Sequence, residues 1–154
     1  MGQIVSKEKL QGLVGQTSEP TRWFKMEQDR INLFADATLD HQFIHIDEEA
    51  AKQTPFGTTI AHGFLSLSML SHFAAEFGLG IEGVVMGINY GFDKVRIIKP
   101  VPVNSRIRAR FHLKNLQTRG ENGALMNLEV MMEVEGTKEP AIVADWLAFL
   151  KLSS

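Results

Sequence analysis

The sequence predicts an α+β fold in which a curved antiparallel sheet wraps one long apolar helix. Three observations carry this expectation. Residues 62–77, HGFLSLSMLSHFAAEF, are apolar on nearly every side of a helix, and such a helix must be buried on most sides. Five later segments, 82–90, 92–98, 104–117, 124–135 and 140–151, are rich in β-formers and separated by Gly, Pro, Asn and Asp. Two of them alternate with opposite charge on their polar faces. In 105–114, Ile107, Ala109, Phe111 and Leu113 oppose Arg106, Arg108, Arg110, His112 and Lys114; in 128–135 the polar face carries Glu129, Glu133 and Glu135. The two read as antiparallel neighbours, with cross-strand pairs contributing about 0.2–1 kcal/mol each.

The earlier elements are short. Residues 4–15, IVSKEKLQGLVG, fit a leading helix that ends at its glycines, and 20–27, PTRWFKME, fit a strand. In 29–38, DRINLFADAT, apolar residues at 31, 33, 34 and 37 mark an amphipathic helix that runs into Asp40. Asp47, followed by Glu48 and Glu49, reads as the N-cap and acidic first turn of a helix stopped before Pro55. A helix over 62–77 would span about 24 Å. A sheet wrapped around such a helix is the hot-dog arrangement, and no repeat, linker or composition break divides residues 1–154, so one domain is expected.

Bulk composition narrows the function. The chain has 154 residues, 44% of them apolar, and a formal net charge of −2. That balance gives no basic surface for nucleic acid or an anionic membrane. There is no run of about 18 apolar residues and no leader pattern, so neither a membrane span nor a signal peptide is expected. The absence of cysteine excludes a thiol nucleophile, thiolate metal sites and disulfides, and agrees with a cytoplasmic setting.

The chemistry concentrates in ATLDHQFIHIDEEA (37–50) and FGTTIAHGFL (56–65). Asp40 alone would read as a helix or turn cap, and His45 alone as a satisfied, partly buried histidine. Together, between two helices and ahead of a helix start, they read as a carboxylate and an imidazole able to move a proton near neutral pH. A metal reading would use Asp40, His41, His45 and Asp47, but neighbours such as Asp40 and His41 rarely face one ion, and no supporting ligand motif is present. His62 and Gly63 open the apolar helix. Gly63 either allows close packing or lets a carbonyl oxygen reach free N–H groups at the positive end of the helix dipole. His72 lies inside the helix and reads as structural. Lys94 and Arg96 share one side of 88–103, either as a solvated face or as a grip for phosphate. The 7 Met and 10 Phe fit a core and an adaptable acyl tunnel.

At these residues the chain resembles the MaoC-like family of R-specific enoyl-CoA hydratases and dehydratases, of the hot-dog superfamily. The family's motif runs Asp-x-Asn-Pro-(Ile/Val)-His-x-(Asp/Glu). Asp40, Ile44, His45 and Asp47 match it, while Gln42 stands at the asparagine, Phe43 at the proline and Leu39 where a glycine often precedes the aspartate. DHQFIH, PFGTTIAHGFL and INYGFDKVRIIKPVPVNSRIR resemble the nodulation-protein-N-like subgroup, so the likeness covers nearly the whole chain.

The resemblance implies reversible hydration of a trans-2-enoyl thioester to the R-3-hydroxyacyl thioester with no metal or redox cofactor. Asp40 and His45 would hold the water, Gly63 would donate its N–H to the thioester oxygen, and Gln42 would orient the loop. Ile60, His62, Asn89, Gly91, Lys94 and Arg96 are the expected substrate contacts. The expected partners are an acyl-CoA or acyl carrier protein thioester and a second copy of the chain, with sites built across a homodimer interface. A hot-dog thioesterase and a non-catalytic acyl-thioester-binding subunit are the alternatives.

Overall fold

The computed structural model describes residues 4–77 and 80–153. Two sheets and five helices follow in the order β1 (Ile4–Val5), α1 (Lys7–Gln11), β2 (Phe24–Lys25), α2 (Gln28–Thr38), α3 (Phe43–Ile46), α4 (Glu48–Ala51), α5 (Gly63–Phe77), β3 (Gly80–Ile81), β4 (Val84–Ile97), β5 (Arg106–Thr118), β6 (Gly123–Val134) and β7 (Ile142–Leu152). The main sheet has five antiparallel strands in the order β2-β5-β6-β7-β4. β1 and β3 form a parallel pair. Among the described residues, no helix is long and apolar enough to cross a membrane.

Period-2 alternation places the core on one face of the sheet. Ile107, Ala109, Phe111 and Leu113 of β5, Leu128, Val130 and Met132 of β6, and Ile142, Ala144 and Trp146 of β7 form one cluster with Leu65, Met69, Leu70 and Phe73 of α5. Each large apolar side chain removed from water here contributes about 1.5–3 kcal/mol. On the opposite face, Arg108 sits across from Glu133 and His112 across from Glu129 in the β5–β6 register. Glu133 accepts from both Arg108 Nε at 2.6 Å and Arg110 Nε at 2.8 Å, and Arg106 pairs with Glu135. The charge complementarity expected from sequence is therefore present.

Four details depart from the sequence expectation. The leading helix is one turn, Lys7–Gln11, capped by the Ser6 hydroxyl, which accepts from Lys9 N–H at 3.2 Å. Within 20–27, only Phe24 and Lys25 pair as strand. Segments 82–90 and 92–98 are one strand, β4, which continues through Gly91 by register shifts at Asn89/Gly91 and Phe92/Lys94; a bulge absorbs what looked like a break. Finally, α5 is buried along one stripe. Leu65, Ser66, Met69, Leu70 and Phe73 are buried, while Phe64 is 70% exposed and Ser68, Ser71, His72 and Ala75 are exposed.

β4 is the last strand of the sheet; Val84 and Val95 pack against the core, and most of its other side chains are exposed. Val85, Met86, Ile88, Tyr90 and Phe92 are all exposed. Those side chains leave an apolar, unpaired strand edge.

Candidate functional site

The site is assembled by the turn between α2 and α3. α2 buries Ile31 and Ala35 and ends on Leu39 in the left-handed region, φ 60° and ψ 23°. This reversal delivers the chain to Asp40, which stays exposed and whose Oδ1 lies 3.5 Å from the Gln42 N–H. The single turn α3 then carries His45 inward until it is 6% exposed. Asp47 closes the loop by capping α4, accepting from Ala50 N–H at 3.0 Å, as its sequence context predicts.

The buried segment 59–62, joined to Pro102 by an isolated bridge at Ile60, holds His45 in place. Ile60 N–H donates to the Ile44 carbonyl at 3.0 Å, and Ala61 N–H donates to Val101 at 2.8 Å. The Ile60 carbonyl in turn lies 2.7 Å from His45 Nδ1. A carbonyl can only accept, so Nδ1 carries the hydrogen and the neutral ring presents a bare Nε2 lone pair. Burial is the largest influence on His45 and pushes its imidazole below the ordinary 6.5; the bond to Ile60 opposes this, neighbouring His62 adds to it and Asp40 opposes it. The neutral, proton-accepting form therefore prevails at neutral pH.

His62, the residue before α5, stacks on His45 with ring centroids 3.8 Å apart and planes 26° apart. It is 2% exposed and packs against Phe34 at 5.0 Å. His62 Nε2 lies 2.9 Å from the backbone carbonyl of Asp40, so it must donate there. One ligand atom from each of Asp40, His45 and His62 lies within 4.8 Å of the other two. His45 Nδ1 and His62 Nε2 are each engaged by a backbone carbonyl, which leaves one nitrogen of each ring for another partner. The metal set suggested by spacing is not brought together: His41 bonds Asp36 at 2.9 Å on the surface, and Asp47 is occupied as a cap.

Gly63 begins α5, and its N–H has no partner among the described residues. It lines a recess of about 240 Å³ together with His45, Ile60, Ser66, Ile97 and Ile98. A Cβ at Gly63 would stand 2.7 Å from Cδ1 at the tip of the Ile97 side chain, which would have to turn aside.

A profile of the MaoC like domain matches residues 9–135. The chain belongs to the MaoC-like dehydratase family. Membership makes it a hydro-lyase. Two curated relatives extend the likeness along the MaoC-like chain: Nodulation protein N of Rhizobium leguminosarum bv. viciae is 45% identical over 90% of this chain and 86% of its own. The 3-hydroxyacyl-thioester dehydratase Z of Mycobacterium tuberculosis is 43% identical, covering 88% and 89%. The solved (R)-hydratase from A. caviae superposes with a TM-score of 0.68 at 22% identity, over 90% of this chain and 96% of that one. This MaoC-like chain accordingly has the hot-dog fold.

The remaining sequence candidates divide by location. Ile60 lines the recess and His62 is next to its lining residues Ala61 and Gly63, whereas Asn89, Gly91, Lys94 and Arg96 stand along β4 and do not line it. The Gln42 side chain is exposed and makes no hydrogen bond among the described residues. The amide that does hold the loop is Gln28. Its Nε2 donates to the His45 carbonyl at 2.7 Å, and its Oε1 accepts from the buried Thr59 hydroxyl at 2.5 Å. Ser66 is a further residue that periodicity hides: it is 2% exposed, lines the recess, and its Oγ has no hydrogen-bond partner among the described residues.

Proposed function

We propose that this chain, read as one MaoC-like domain over 1–154, hydrates trans-2-enoyl thioesters reversibly to R-3-hydroxyacyl thioesters. The observation that carries the proposal is a neutral His45 with a bare Nε2, one of whose ring nitrogens lies within 4.8 Å of an Asp40 carboxylate oxygen. His45 opens on the same recess as the unpaired Gly63 N–H. Water bound between Asp40 and His45 loses a proton to one of them as its oxygen bonds the β-carbon. The π electrons move toward the thioester oxygen, where the Gly63 N–H at the helix start stabilises the developing charge; one such donor is worth roughly 10²–10³ in rate. The proton taken up from the water, passed within the pair, then goes to the α-carbon. No metal or redox step is needed. The name of the 43%-identical relative, a 3-hydroxyacyl-thioester dehydratase, supports the substrate class.

The working unit is a homodimer. Its support is the exposed apolar edge of β4, which a second copy would pair as a continuous, isologous sheet. The acyl chain then lies between subunits, and Lys94 and Arg96 reach the carrier phosphates of a CoA or acyl carrier protein thioester. Incubation with crotonyl-CoA tests the proposal. Loss of the conjugated enoyl-thioester absorbance with R-3-hydroxybutyryl-CoA as product is expected. Release of free thiol would instead mark a thioesterase, and no conversion across chain lengths would leave an acyl-thioester-binding protein.

A further inference from the structure

The outer face of the main sheet is held together by paired charges over much of its width. Glu133 holds Arg108 and Arg110, Arg106 pairs with Glu135, and Lys114 pairs with Asp145 at 3.0 Å. One row of that face is different. Gly91, Leu147, Asn127 and Asn115 stand side by side across β4, β7, β6 and β5. There a cleft of about 290 Å³ opens, lined by Tyr90, Asp93, Asn115, Gln117, Arg119 and Asn127.

Two bulges in β4 supply one wall of it. The register steps from Asn89 to Gly91 and from Phe92 to Lys94, so Tyr90 and Asp93 have no cross-strand partner. Both line the cleft. A bulge re-aims a side chain that a regular strand would place elsewhere. Gly91, between them, brings no side chain, and a Cβ there would meet no atom within 4 Å. Among the described residues, the lining side chains bond one another only through Arg119 Nη2, which donates to Gln117 Oε1 at 3.1 Å. Tyr90, Asp93 and Asn115 are therefore left for something else.

Cations stand next to this row. Lys94 is opposite Asp145 and Arg96 opposite Val143, positions that share a face with Leu147 because side chains alternate along β7. Asp145 is taken by Lys114, and neither Lys94 nor Arg96 forms an ion pair among the described residues. Each group suits one part of a nucleotide. Asparagine and glutamine amides set a donor beside an acceptor, the pattern that matches the edge of adenine. The Tyr90 ring, 67% exposed, offers a stacking face. A carboxylate such as Asp93 accepts from ribose hydroxyls, and unpaired Lys and Arg bind phosphate.

We propose that this outer cleft binds an adenosine phosphate, with the base against Tyr90 and the amide row, the ribose at Asp93 and the phosphates at Lys94 and Arg96. The same chemistry has two sources. One is the nucleotide end of a CoA thioester, an assignment that rests on the hydratase reading; the other is a free nucleotide. Pairing of β4 with a second copy uses the backbone edge of the strand and leaves its outer face open.

Titration calorimetry of the full chain with adenosine 3′,5′-bisphosphate tests the site directly. Saturable binding is expected, weaker at high salt. Tyr90→Ala and Asn115→Leu should each weaken it about tenfold, while Tyr90→Phe, which keeps the stacking face, should bind nearly as wild type. Ribose 5-phosphate, which lacks the base, should bind at least about tenfold more weakly. No saturable binding, equal affinity for ribose 5-phosphate, or wild-type affinity in both Tyr90→Ala and Asn115→Leu would overturn the proposal. The comparison of the two ligands needs only the wild type, so it decides the matter even where a variant fails to fold.

Kinetics then separate the sources. A cleft that receives the CoA nucleotide makes the bisphosphate compete with crotonyl-CoA and leaves hydration of crotonyl-pantetheine untouched. A cleft that receives a free nucleotide binds it without that competition. Failure of the hydratase reading looks different: neither thioester would be hydrated, while binding of the bisphosphate would persist.

Discussion

Leu39→Gly should stabilise this protein. Leu39 caps α2 with φ 60° and ψ 23°, a region that costs a residue bearing a Cβ about 1–2 kcal/mol. Its side chain is 82% exposed, so little apolar burial is lost on truncation. Glycine gives back roughly 0.5–1 kcal/mol through its greater freedom in the unfolded chain. The balance is a gain of about 0.5–1 kcal/mol, which for a chain of this size raises Tm by about 1–4 °C. Thermal and urea unfolding followed by circular dichroism, at one fixed protein concentration, measure it. The urea midpoint should rise with an unchanged slope, and Leu39→Ala, which keeps the Cβ, should show no gain. A lower Tm for Leu39→Gly than for wild type would refute the strained-cap reasoning.

Other expectations concern the site and the assembly. For His45, whose folded pKa lies below 6.5, the acid limb of kcat/KM should centre below 6.5; a midpoint above it would contradict a buried neutral base. The same shift means the unfolded chain binds that proton more tightly. Stability should therefore rise with pH between the folded pKa and 6.5 and flatten above, a slope that His45→Gln removes. Replacing Lys94 and Arg96 by alanine should raise KM for enoyl-CoA more than it lowers kcat, and an unchanged KM at low salt would place the nucleotide elsewhere. Ile88→Lys puts a charge on the open β4 strand and should weaken the dimer about tenfold or more; identical sedimentation at low concentration would refute β4 pairing.

The sheet was legible because period 2 is a strong signal when one face is charged. Arg106, Arg108 and Arg110 against Glu133 and Glu135 could be matched across strands before any geometry was known. Asp40 and His45 stood out for a different reason, being chemically paired residues in a stretch too irregular for one helix. Gln28 and Thr59 carried no such mark. Gln28 meets the His45 carbonyl across 17 residues of chain and the Thr59 hydroxyl across 31, and an amide on a helix face looks like any solvated residue until the fold brings a carbonyl to it. The break expected at Gly91 failed because a bulge lets a strand run through a glycine. Leu39 shows the reverse case: a left-handed cap where the family often has glycine is visible only as a departure in sequence, and only the backbone explains the glycine.

The most direct test of the account compares hydration rates of wild type, Asp40→Asn, His45→Gln and the double mutant on one enoyl-CoA. Each single variant should fold and lose at least about 10²-fold, the usual scale for general acid–base catalysis. Because the two residues handle one water, the double mutant should be little worse than the worse single mutant. A near-normal rate in either single variant, or losses that multiply in the double mutant, would contradict a water site shared by Asp40 and His45.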